Sequence, residues 1–132
     1  MIKNINTFSD DRGCLTVAEI MKDIPFEVKR IYWIYDVPKN KKRGFHANRI
    51  TYQYLVAVKG NIKVGLENKE GKSVYLLDAP NKGLLIPPMT WNELEYLSED
   101  AVLLVLSSEL YCPEMYINSY EEFLKEIEKC EK

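Results

Sequence analysis

The only histidine of this 132-residue chain, His46, closes the run Lys41-Lys42-Arg43-Gly44-Phe45-His46 and is followed by Ala47 and Asn48. Imidazole is the one side chain that ordinarily titrates near neutral pH, so acid–base chemistry by histidine must rest on this single ring. Arg43 places a permanent cation beside it, and Gly44 gives the backbone freedom to turn there. A second cluster of interest, Pro87-Pro88-Met89-Thr90-Trp91-Asn92, lies about forty residues further on. A lone histidine on a strand is more often structural than catalytic. The arginine and glycine beside His46 shift that balance.

Strand signals dominate the segments that must position these groups. Ile31 to Val37 is aromatic and β-branched and stops at Pro38. Ile50 to Val58 is a second long candidate, followed by a tight turn at Lys59-Gly60-Asn61. Ile62 to Leu66 alternates apolar and polar residues, and Val74 to Leu77 returns after the polar loop Asn68 to Lys72. Gly83 to Ile86 and the apolar run Ala101 to Leu106 complete the set. Strands recurring at such short intervals, with turns between them, indicate a sandwich or barrel. Near the C-terminus the period changes. Ser119 and Glu122 form a capping box ahead of a helix expected over about 119–131, with Phe123, Leu124, Ile127 and Cys130 along one face. The chain is expected to be one domain spanning 1–132, all-β with a short C-terminal helix.

Composition narrows the function classes. Eighteen basic and twenty acidic residues are interspersed, giving a net charge of −2, and no basic face argues for nucleic acid. The densest basic run, Lys39 to Arg43, reads first as a solvated loop and second as an anion site. No apolar run approaches the roughly 20 residues of a membrane span, and the N-terminus has no continuous apolar signal region. A cytoplasmic location is the simplest expectation. Cys14, Cys112 and Cys130 are too scattered for a disulfide framework or a zinc site and are expected to be free thiols.

The two clusters keep the frame of a two-motif cupin barrel, in which His-x-His, an acidic residue and a glycine are followed, after a proline, by a further histidine. The corresponding positions here are His46, Asn48, Gln53, Gly60 and Asn92. Amides are weak neutral ligands, so one histidine with three amides is a poor site for zinc, iron or manganese, and no metal is expected.

These residues, together with several other segments, resemble the cupin-fold dTDP-4-keto-6-deoxyglucose 3,4-ketoisomerases, the WxcM-like sugar-nucleotide isomerases. The matching segments include Asp11-Arg12-Gly13-Cys14-Leu15, Ile24 to Tyr32, Arg43 to Ala47, Gly83 to Pro87, Trp91 and Leu104 to Ser108. The tail Tyr111, Tyr116-Ile117, Tyr120 and Phe123 matches as well, so the resemblance spans nearly the whole chain in order. It implies a cupin-type double-stranded β-helix, or jelly-roll, barrel. It also implies movement of a ketone from C4 to C3 of a dTDP-linked 6-deoxyhexose, on the way to 3-amino-3,6-dideoxy sugars of bacterial surface polysaccharide. No cofactor is implied. A homodimer with exchanged N-terminal strands is.

By position, the resemblance makes His46 the acid/base residue and places Arg43, Arg30 and Tyr32 along the nucleotide-sugar cleft. Arg12 would approach the hexose, and Gln53 and Trp91 complete the expected substrate-binding set. The family typically reads His-Ala-His where this chain has His46-Ala47-Asn48, and often has a basic group at the position of Asn92. A two-base mechanism therefore does not carry over. A single imidazole can take the proton at C3 and return it at C4 through an enediol, with Asn48 and Asn92 as neutral donors to its oxygens. Two other readings stay open: an epimerase acting beside the keto group of the same kind of ligand, and a nucleotide-sugar-binding cupin without activity.

Overall fold

The computed structural model describes residues 2–130. Its strands run in the order β1 (Ile2–Asn4), β2 (Asn6–Asp10), β3 (Gly13–Val17), β4 (Arg30–Ile34), β5 (Lys42–Asn48) and β6 (Gln53–Lys59). They continue with β7 (Ile62–Asn68), β8 (Gly71–Leu77), β9 (Lys82–Ile86), β10 (Trp91–Tyr96), β11 (Val102–Ser107) and β12 (Tyr116–Ile117), and helix α1 (Tyr120–Cys130) follows. Two five-stranded sheets, β1-β9-β6-β11-β4 and β12-β5-β10-β7-β8, are built from antiparallel pairs. They face each other as a cupin-type jelly-roll without closing into a continuous ring. The β2–β3 hairpin stands apart as its own two-stranded sheet.

Burial follows from alternation along each strand. Leu55, Ala57, Leu84, Leu103 and Val105 from the first sheet meet Ile62, Val64, Leu66, Leu77 and Leu94 from the second in the main core. Strand β6 is buried on both faces because Ile5, Ile24 and Phe26 cover Tyr54 and Val56 from outside. That explains its continuous apolar sequence. Gly60 makes the turn into β7 at φ +79°; a Cβ there would lie 2.6 Å from the Ala101 Cα, so the turn admits only glycine without displacement.

Helix α1 packs Phe123 and Ile127 against Ala47, Trp91 and Ile117, on the far side of β5 and β10 from the main core. Ser119 Oγ accepts the Glu122 amide hydrogen bond (3.3 Å), the expected N-cap. Leu124 is 37% exposed, so the apolar face is narrower than its spacing suggests. The side chain of Cys130 and an extension of the helix to 131 lie outside the described residues. Arg49, just past β5, ties the helix down: its guanidinium meets Glu126 at 2.8 Å and Glu122 at 3.3 Å and donates to the carbonyl oxygens of Glu114 and Tyr116.

Several boundaries differ from the sequence expectation. Strand β4 ends at Ile34 rather than at Pro38, because Asp36 takes a left-handed conformation (φ +57°) that no strand continues. Strand β6 begins at Gln53 rather than Ile50, since Ile50 and Tyr52 are exposed and Tyr52 donates its amide to the Ser108 hydroxyl. Lys42 and Arg43 belong to strand β5, paired with Glu95 and Leu94, rather than to a solvated loop.

Candidate active site

Between the sheets, along the gap where the edge strand β4 faces β5, opens a cavity of about 340 Å³. Its lining mixes polar side chains with apolar ones that include Leu55, Ile86, Leu94 and Val105. A volume of that size suits a small organic ligand.

His46 enters the cavity from β5 because of an irregularity in the strand. On β10, Asn92 pairs with His46 and Glu93 with Gly44, so Phe45 is the extra residue of a β-bulge. Both bulge residues have positive φ, +95° for Gly44 and +61° for Phe45. A Cβ on Gly44 would fall 2.7 Å from Asn92 Oδ1 and 3.0 Å from the Asn92 carbonyl oxygen, so only glycine fits beside β10. The bulge turns His46 inward opposite Asn92, and both line the cavity. Burial pushes the imidazole pKa below its ordinary 6.5, and a hydrogen bond from the ring to the Gly44 backbone only partly offsets that. The ring is therefore neutral at pH 7.

Aromatic groups fix the rest of the mouth. The His46 ring meets Tyr116 edge-on at 5.1 Å, and Tyr116 in turn packs against Tyr111 at 5.9 Å. The Arg30 guanidinium lies between two rings, 4.4 Å from the centre of Tyr32 and 5.0 Å from that of Tyr111. A guanidinium held flat between aromatic faces keeps its N–H edge free for an anion. Below it, Gln53 donates to the Tyr32 hydroxyl at 3.1 Å. Burial pushes the Tyr32 phenol up to about 12, so it stays protonated and can donate in turn.

Of the sequence candidates, the structure brings His46, Asn92, Gln53, Arg30, Tyr32 and Arg43 together around this cavity. Three others lie elsewhere in the chain's own fold. Asn48 is buried at the last position of β5, where Tyr116 of β12 pairs opposite it, and it does not line the cavity. Trp91 precedes Asn92, so alternation sends it to the opposite face, against Phe123 (5.7 Å) with its indole N–H on Glu93. Arg12 sits on the exposed β2–β3 hairpin, ion-paired to Asp10 at 2.6 Å.

Tyr96, Tyr111, Tyr116 and Asn118 line the cavity without having been singled out as site residues. Tyr111 and Tyr116 were visible only as a spaced aromatic tail, since nothing in a sequence announces that the segment beyond the last long strand folds back to pair Tyr116 with Asn48 of β5. Among the described residues, no three His, Cys, Asp or Glu side chains converge as metal ligands would. The donors present are one imidazole, amides, phenols and guanidinium groups. That set recognises anions and carbonyl oxygens and moves protons.

A jelly-roll with a neutral, half-buried histidine and an arginine-lined mouth defines a small-molecule acid–base site of the cupin type. Residues 1–128 match the model of the FdtA family (WxcM-like, C-terminal), and the chain belongs to that family. It is 38% identical over 126 residues to the TDP-4-oxo-6-deoxy-alpha-D-glucose-3,4-oxoisomerase of Aneurinibacillus thermoaerophilus, covering 96% of this chain and 91% of the relative. Among solved structures, QdtA, a sugar 3,4-ketoisomerase from Thermoanaerobacterium thermosaccharolyticum in complex with TDP, superposes with a TM-score of 0.93 at 35% identity. That match covers 98% of this chain and 95% of the other. A 3,4-ketoisomerase from Helicobacter canadensis gives 0.92 at 38% identity, covering 97% and 96%.

Proposed function

We propose that the protein is a sugar-nucleotide 3,4-ketoisomerase that moves the ketone of a TDP-4-keto-6-deoxyhexose from C4 to C3. The observation that carries this reading is the neutral imidazole of His46 in the cavity wall, within a chain 38% identical along nearly its whole length to a 3,4-oxoisomerase.

The unprotonated ring nitrogen of neutral His46 is the base. It takes the proton from C3, and the C–H electrons form a C3–C4 double bond while the carbonyl electrons pass to O4. The oxygen proton moves from O3 to O4, C3 becomes the ketone, and the imidazolium returns its proton to C4. Atoms and electrons balance within the sugar, and no external oxidant or reductant takes part. Asn92, opposite His46, supplies a neutral donor to the enediolate. Arg30 is assigned to the diphosphate, whose oxygens suit a guanidinium fork, and Arg43 to an oxygen of the keto sugar. Tyr111 is assigned to the nucleobase.

The assembly we infer is a homodimer. Phe8 and Leu15 pair across the β2–β3 hairpin, and both are more than 60% exposed. Two strands alone are marginal in water, so this hairpin calls for a surface to lie on. Ile31 and Trp33 of β4 form an exposed apolar outer face on which a partner's hairpin can rest. Exchange of the N-terminal strands would carry Arg12 toward the partner's cavity. A sugar-nucleotide substrate suits a cytoplasmic enzyme, and among the described residues no helix is long and apolar enough to cross a membrane.

The deciding experiment incubates the purified protein with TDP-4-keto-6-deoxyglucose in deuterated water and follows the product by NMR. A carbonyl at C3 with solvent deuterium in the ring is expected. A carbonyl that stays at C4, with inversion at a neighbouring carbon, would establish the epimerase instead, and a sugar recovered unconverted and unlabelled would leave only binding.

A further inference from the structure

Tyr96, on β10 two residues beyond Leu94, is fully buried and lines the same cavity as His46. Its hydroxyl is the single buried side-chain nitrogen or oxygen, among the described residues, with no hydrogen-bond partner. Unpaired buried donors are costly and correspondingly rare, and each one in a folded protein calls for a reason. Packing does not give one. The ring belongs to the main apolar core, and phenylalanine would fill that volume without burying a hydroxyl.

The surroundings supply the reason. Arg43 and Tyr32 line the same cavity, and Arg43 is close enough for its charge to act on the Tyr96 phenol. Burial pushes that phenol up to about 12, so it is a protonated donor at any working pH. Arg43 has no carboxylate within ion-pair distance among the described residues. Two donors on neighbouring parts of one wall, with no protein acceptor between them, fit a ligand atom that only accepts: a carbonyl or alkoxide oxygen.

We propose that Tyr96 is a substrate-binding residue whose hydroxyl donates to an acceptor oxygen of the keto sugar, in a pocket completed by the ligand. The proposal rests on the ketoisomerase reading and extends it to a group that reading leaves unused.

The test is Tyr96→Phe. Because the hydroxyl has no protein partner, the ligand-free variant should melt at or above the wild-type temperature. Its affinity for TDP alone should match wild type. Its kcat/KM for TDP-4-keto-6-deoxyglucose should fall about tenfold, the effect of one lost hydrogen bond to a ligand. Affinity for the keto sugar, read by calorimetry in the His46→Asn background where turnover does not intervene, should fall by a similar factor. Unchanged kcat/KM together with unchanged keto-sugar affinity overturns the proposal. A melting temperature lowered by several degrees, with TDP and keto-sugar binding weakened alike, also overturns it, because the hydroxyl then serves the fold. If wild type binds the keto sugar without converting it, the isomerase reading fails while the calorimetric comparison still decides the role of Tyr96. If wild type binds TDP but gains nothing from the keto sugar, both readings fail.

Discussion

Replacing Gly44 with alanine should damage the site more than any other single methyl group added to β5. At φ +95° a non-glycine residue carries backbone strain of about 1–3 kcal/mol. The new Cβ would also sit 3.0 Å from a backbone oxygen of Asn92 and 3.0 Å from Leu94 Cδ1, and 2.7 Å from Asn92 Oδ1. The amide can swing away, but the backbone oxygen belongs to the paired strand and cannot. Together these place the loss on the order of 2–4 kcal/mol, or roughly 6–15 °C in Tm for a chain of this size. The relief must come from parting β5 and β10 at the bulge, which moves His46 relative to Asn92. A displacement of about 1 Å at a reacting group costs on the order of 10²-fold in kcat/KM. Differential scanning fluorimetry and the NMR turnover assay read both effects. Phe45→Gly is the control. It relieves a left-handed phenylalanine (φ +61°) whose side chain is 42% exposed, so Tm should stay within about 3 °C of wild type. Gly44→Ala with Tm within about 1 °C of wild type and kcat/KM within twofold would refute the close-packed bulge as the device that aims His46.

His46→Asn should lower kcat by on the order of 10²–10⁴-fold while TDP binding, read by calorimetry, persists. The folded-state pKa of His46 lies below 6.5, so the acid limb of kcat/KM in the wild type should also lie below 6.5. Protonating this ring favours the unfolded chain: its contribution to stability is unpenalised above about 6.5 and declines as pH falls from there through the lower folded value, a pH dependence of Tm that His46→Asn should remove. Arg49→Met should cost on the order of 1 kcal/mol after solvent screening of its partly exposed pairs with Glu122 and Glu126, a Tm loss of about 3–5 °C that shrinks as salt rises. Light scattering should find a dimer, and replacing Phe8 and Leu15 with serine should convert it to monomer; a monomeric wild type would overturn the strand-exchange reading.

Periodicity made the central strands legible because each buries one or both faces: β7 alternates residue by residue, and β6 and β11 are long apolar runs. It failed for β5, whose sequence from Lys42 to Asn48 is half charged or polar and whose bulge breaks the two-residue period at Phe45. The strand that carries the site was thus the hardest to read, for the same reason that it carries the site. Strand β10, with glutamates at positions 93 and 95 facing out, hid its inward Asn92, Leu94 and Tyr96 behind a polar appearance. His46 and Asn92 could be found from motif spacing because opposed strands in a jelly-roll bring such pairs together. Asn48 satisfied the same spacing and Trp91 was expected from the family resemblance, yet a β12 pairing and a one-residue alternation sent them elsewhere, which is three-dimensional information.

The substitution of amides for histidines bears on how the base is tuned. A second imidazole next to His46 would share protons with it and would hold part of the positive charge during turnover. With Asn92 opposite and Tyr116 edge-on, His46 has neutral neighbours, and burial alone sets its pKa downward. A base of lowered pKa is a weaker proton acceptor, so the enediolate must be stabilised by other donors for the rate to be sustained. The cavity supplies them as groups that stay protonated: the amide of Asn92, the raised phenols of Tyr32 and Tyr96, and the guanidinium of Arg43. On the proposed one-base reading, transition-state stabilisation would fall to fixed donors rather than to a second titrating base, and the rate would depend on a single ionisation on its acid side.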